Sequence, residues 1–164
     1  MSDEAQRPKK MMQVVGAIAA TMGGLTLGTV IGWSSPASSI YIDSGDVTKY
    51  QFTHISSIMC LGAAAAQPYI FLTLDRIGRK WSMIIVAIPI IIFYMLIGIV
   101  TNWIVILIGR FCLGFCAGAF CVAAPTYIGE YSDKHIRGML GVMFQFLLVI
   151  GIELSYILGL FESR

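Results

Sequence analysis

Five long apolar runs, separated by short polar segments, set the pattern of this chain. They extend from Met11 to Trp33, Thr53 to Leu74, Trp81 to Val100, Ile104 to Ile128 and Met139 to Leu160. About 20 helical residues at ~1.5 Å rise cross ~30 Å of hydrocarbon, so each run is long enough to span a bilayer once. Backbone groups in lipid need internal partners, which makes every run a helix. The first run, 23 residues long, exceeds a signal-peptide core of about 7–15 residues and is expected to stay as a membrane helix. The polar stretches at 34–52, 75–80, 101–103 and 130–138 are expected as loops, and Pro68, Pro89 and Pro125 as local bends.

Composition sharpens this picture. Of 164 residues, 57% are hydrophobic and only 12% charged, against about 25% charged in soluble proteins, and mean hydropathy is +0.81. The expected fold class is therefore an all-α integral membrane protein: residues 1–10 before the bilayer, then one five-helix bundle over 11–164, in contact with membrane lipid. Eleven basic and nine acidic residues leave a net charge of +2, too balanced and dispersed for a nucleic-acid surface. Lys and Arg number three, three and two in the N-terminus, the 75–80 loop and the 130–138 loop, against one, none and one in the alternate segments. That bias puts the N-terminus in the cytoplasm and the C-terminal end of the chain outside the cell. Cys60, Cys112, Cys116 and Cys121 lie in apolar runs, where packing explains them better than disulfides or metal. His54 and His135 have no nucleophile or metal constellation beside them, and no enzyme activity or cofactor is implied.

Charge placement carries the chemistry. Asp75 and Glu130 follow the ends of the second and fourth spans, where the helix dipole disfavours acids, while Arg79 and Lys80 precede the third, where it disfavours bases. Their signs are complementary, so a network of Asp75, Arg79, Glu130 and Arg137 is expected, with Arg76 and Lys80 explained by topology alone. Arg110 and Glu153 stand at similar depth, ~10 Å inside consecutive spans, and are expected to pair with each other or with polar groups on further helices. Gly16, Ala20, Gly24, Gly28 and Gly32 recur every fourth position and form a ridge for close helix packing; Gly114 and Gly118 repeat the spacing.

The motifs resemble those of the major facilitator superfamily, specifically its sugar porters, over essentially the whole chain. Leu74-Asp75-Arg76-Ile77-Gly78-Arg79-Lys80 is similar to the loop between the second and third helices of that family. Gly109-Arg110-Phe111, Gly114, Gly118 and Pro125-Thr126-Tyr127-Ile128-Gly129-Glu130, with Arg137-Gly138 beyond, resemble its fourth-helix signature. Gly32-Trp33-Ser34-Ser35-Pro36 is similar to insect facilitated trehalose transporters and related glucose facilitators. Two positions depart from the pattern: Phe71 stands where a glycine is expected, and Cys112 replaces an aliphatic residue.

The resemblance implies twelve helices in two halves, of which this chain resembles the first five, and alternating exposure of a sugar held between the halves. It implies a sugar contact at Gln145, in the pattern Gln-x-x-x-x-x-Gly-Ile with Gly151 and Ile152; the amide supplies the donors and acceptor that a hydroxyl-rich ligand requires. It also implies gating by the charge cluster and facilitated diffusion, since Ser34 stands where proton-coupled relatives carry an acid. The expected function is movement of trehalose or a hexose, with further helices needed because inverted three-helix repeats require a sixth to complete one half. The alternatives are a non-transporting membrane interaction protein and part of a proton-coupled symporter using Glu153.

Overall fold

The computed structural model describes residues 7–45, 47–100, 102–132 and 134–162. The side chains of Arg7, Lys9, Lys10, Lys134 and His135, together with Asp46, Thr101 and Arg164, lie outside the described set. Six helices follow in order: α1 Arg7–Gly32, α2 Ser34–Asp43, α3 Lys49–Ile77, α4 Arg79–Ile99, α5 Trp103–Tyr131 and α6 Lys134–Glu162. No strand occurs among the described residues. The fold is all-α, and α3, α4, α5 and α6 are each long and apolar enough to cross a membrane. With α1, which lies along α6 and carries the first apolar run, they make the expected bundle of five.

Three expected loops are largely helix, the 130–138 segment among them, where α5 runs to Tyr131 and α6 begins at Lys134. Residues 34–43 form α2, a continuation of α1 beyond Trp33. Pro36 explains the interruption, because it has no N–H to give to the carbonyl of Gly32 four residues earlier. The hydrogen bonds on either side persist, from Trp33 N to Thr29 O at 3.0 Å and from Ala37 N to Trp33 O at 3.1 Å. The 75–80 segment is likewise almost all helix. Asp75 and Arg76 form the last turn of α3, Arg79 and Lys80 open α4, and Gly78 alone joins them with φ +88°. A side chain is strained in that conformation, so glycine makes the reversal in one residue. Elsewhere the helix starts have local causes: Asn102 Oδ1 accepts from Ile104 N at 3.1 Å, and Thr48 N donates to Gln51 Oε1 at 3.0 Å.

Two helix pairs dominate the packing, α1 on α6 and α3 on α5, and α5 is the central element. Its apolar window is 56% buried, against 22% in α3, α4 and α6, so those three turn most of their surface outward. Small residues make both seams. A Cβ on Gly28 would collide with the Leu148 carbonyl of α6, and one on Gly151 with the Leu25 carbonyl of α1, so the backbones of α1 and α6 touch there. The glycines at 24 and 32 prolong this seam against Phe144 and Ser155, respectively. In the second pair, Gly62 meets Phe111, Gly114 meets Met59 and Gly118 meets Ala63. Such contacts replace the hydrophobic effect, which has no purchase between helices already in lipid, by close van der Waals packing.

Candidate functional site

The charged residues at the end where α1 begins are positioned by three helix termini. Arg79 opens α4, where that helix's own dipole works against it, yet its side chain reaches two other helices at their C-terminal ends. Its Nη1 donates to the Leu74 carbonyl of α3 at 3.3 Å, and its Nη2 donates to Glu130 Oε1 of α5 at 3.0 Å. Nε lies 2.7 Å from Glu130 Oε2, but its N–H forms no hydrogen bond, so that contact is ionic. One guanidinium thus answers an orphan carbonyl and an acid that sits unfavourably in the last turn of α5. The pair is partly open to solvent, with 37% of the Arg79 side chain and 52% of the Glu130 side chain exposed.

The structure does not draw the other four charges into this contact. Asp75, Arg76, Lys80 and Arg137 are exposed, and none forms an ion pair with a described residue. Of the expected four-member network the structure brings together Arg79 and Glu130, with the Leu74 carbonyl as a third partner, while Asp75 stays exposed in the last turn of α3.

Arg110 is the largest fully buried side chain among the described residues, 1% exposed. It does not pair with Glu153, which is exposed on α6. Nη1 donates to Val30 O of α1 at 3.0 Å and lies 3.5 Å from Met59 Sδ of α3, while the guanidinium carbon sits 3.7 Å from the centre of the Trp33 ring. Nε and Nη2 have no partner. The helix packing keeps the two charges apart: α5 packs mainly on α3, α4 and α1, and touches α6 only slightly. Trp33 supplies what a carboxylate was expected to supply, since a desolvated cation over an indole face is stabilised by about 2 kcal/mol. No sequence signal names Val30 as the acceptor, although a tryptophan in the turn after α1 was available as a partner.

Gln145 projects from an exposed part of α6, and no described residue hydrogen-bonds it. Among the described residues α1 and α4 do not pack on each other; one cavity lies between them, and a second lies among α2, α4 and α6 beside Thr29 of α1. The first, of about 460 Å³, runs from Gly16 and Lys80 to Thr26 and Ile91; the second, about 430 Å³, is lined by Thr29, Trp33, Tyr41, Tyr94 and Ser155. Among the described residues no cluster of His, Cys, Asp and Glu is arranged to hold a metal ion.

The profile of the family described as "Sugar (and other) transporter" matches residues 14–164. The chain is 32% identical over 156 residues to the facilitated trehalose transporter Tret1 of Drosophila willistoni, covering 90% of this chain and 17% of that protein. It is 34% identical over 155 residues to the facilitated trehalose transporter Tret1-2 homolog of Drosophila simulans, covering 92% and 32%, respectively. Solute carrier family 2, facilitated glucose transporter member 8, of Bos taurus is 33% identical over 156 residues, covering 93% and 33%. Among solved structures, a D-xylose-proton symporter superposes with a TM-score of 0.70 at 21% identity, over 94% of this chain and 41% of that one. The chain thus spans a third or less of the length of these curated relatives. The family match over nearly the whole chain, on an all-helical bundle with this superposition, makes the chain a member of the sugar transporter family, within the major facilitator superfamily.

Proposed function

We propose that the chain forms the first five spans of a sugar transporter that moves trehalose or a hexose down its gradient by alternating access. The observation that carries this reading is the sugar-transporter match over residues 14–164, shared with relatives named for trehalose and glucose. Gln145 contacts the sugar, its exposed amide being free to bond hydroxyls. Arg79 with Glu130 steadies one conformer and separates as the halves rock. The bundle lies in the cell membrane with the Gly78 joint in the cytoplasm and the far ends of α5 and α6 outside or near the outer face, as the distribution of Lys and Arg favours.

Transport requires further helices. The groove between α1 and α4 supports this: α1–α6 and α3–α5 pair alike, α4 covers α5, and the equivalent place beside α1 is occupied by a cavity. Uptake of labelled trehalose and glucose into oocytes tests the reading, using the chain alone and the chain joined to the sixth to twelfth helices of the Drosophila simulans relative. The fusion is expected to transport and the chain alone to remain silent. Gln145→Ala in the fusion should lower uptake about tenfold, the effect of leaving substrate hydroxyls unpaired. Uptake by the chain alone, or a fusion unaffected by Gln145→Ala, would refute the respective part.

A further inference from the structure

We propose that the face of α6 opposite α1 seats a transmembrane helix that presents an arginine or lysine to Glu153. The inference rests on the preceding reading only in taking α6 as a membrane span. Residues 142, 146, 149, 153, 157 and 160 follow each other at intervals of four and three, the spacing of a helix-packing stripe. Val142, Phe146, Val149, Ile157 and Leu160 are all exposed, from 47% to 72%. Glu153 is exposed in their midst. The other side of the helix, with Leu140, Phe144, Gly151 and Ser155, is buried, and its glycine and Ser155 lie against α1.

A stripe meant only for lipid needs no charge. Glu153 is eight residues before Phe161, where the span ends, and therefore ~12 Å inside it at ~1.5 Å per residue. Intramembrane charges pair or line water. Arg110, the base at comparable depth, is committed to the Val30 carbonyl, the Met59 sulfur and the Trp33 ring, and cannot neutralise the carboxylate. The partner must come from outside the described bundle, and charge complementarity makes it a base on a spanning helix.

The test places the 164-residue chain in lipid vesicles with leucine-based spanning peptides that carry one Lys, one Arg or only Leu at the depth of Glu153. Association is read by energy transfer between fluorophores. The Lys and Arg peptides are expected to bind about tenfold more tightly than the Leu peptide, the effect of one interhelical polar contact. Glu153→Gln should remove the preference and Glu153→Asp retain most of it; Glu153 is exposed, so neither change disturbs the α1–α6 seam. Equal binding of all three peptides, or a preference that survives Glu153→Gln, overturns the proposal. So does uptake by the fusion transporter that follows a pH gradient and loses that dependence in Glu153→Gln, which would make Glu153 a proton site. The binding arm contains no sugar, so its failure is separate from failure of the transport reading.

Discussion

Arg79 and Arg110 meet the same requirement in opposite ways. At the rim of the bundle, a guanidinium faces an acid that water can also reach, and both partners remain partly hydrated. In the interior, a guanidinium meets a carbonyl, a sulfur and an indole, with two of its nitrogens unbonded. The rim contact, open to water on both sides of the pair, is easily made and easily broken. The buried contact fixes α1 to α5 and α3, because leaving it would strand a charge in a dry interior.

Truncation should separate the two most clearly. Arg110→Ala leaves a void and an unbonded Val30 carbonyl, and is expected to cost about 3 kcal/mol or more in denaturant unfolding of the detergent-solubilised chain. Arg110→Met, which fills the volume without a charge, should cost less than about 1.5 kcal/mol, since two donors are already unsatisfied in the parent. If both variants lose the same amount, the contacts of the guanidinium rather than packing govern the site. A smaller effect is expected at the rim: Arg79→Ala should cost about 1 kcal/mol or less and weaken further in salt, because the pair is half exposed. The same substitution in the fusion transporter should raise the fraction of the alternate conformer, seen as faster crosslinking across the opposite end. Smallest of all is the coupling between Arg110 and Glu153, expected within about 0.5 kcal/mol of zero in a double-mutant cycle because the two side chains share no partner. Coupling above 1 kcal/mol would restore the pair that the structure separates.

These two arginines also mark how far the sequence can be read. Length and apolar character locate the membrane helices, since the bilayer imposes both, and charge signs bring Arg79 to Glu130 because the misplacement of each at a helix end demands a partner. The same reasoning gives Arg110 and Glu153 similar distances from their helix ends but says nothing of their bearing around the helix axis. Chain neighbours on a hairpin need not be the main packing partners, and here α6 leaves α5 to lie on α1. The 34–43 segment escapes for a different reason: its serines and Pro36 read as a loop, whereas a proline in the first turn of a helix needs no N–H partner within it. Likewise Gly78 stands out only as a turn residue, and nothing in the composition of Asp75 to Lys80 tells that one residue suffices to reverse the chain.

The seam between α1 and α6 has a consequence for biogenesis. Synthesis delivers α1 to the membrane before any other of these segments, yet the partner whose backbone fits its glycines is α6, made more than 100 residues later. During that interval Gly24, Gly28 and Gly32 present bare peptide groups to lipid or to the insertion machinery. Any other neighbour seated in that groove before α6 is made has to leave it before the bundle can close.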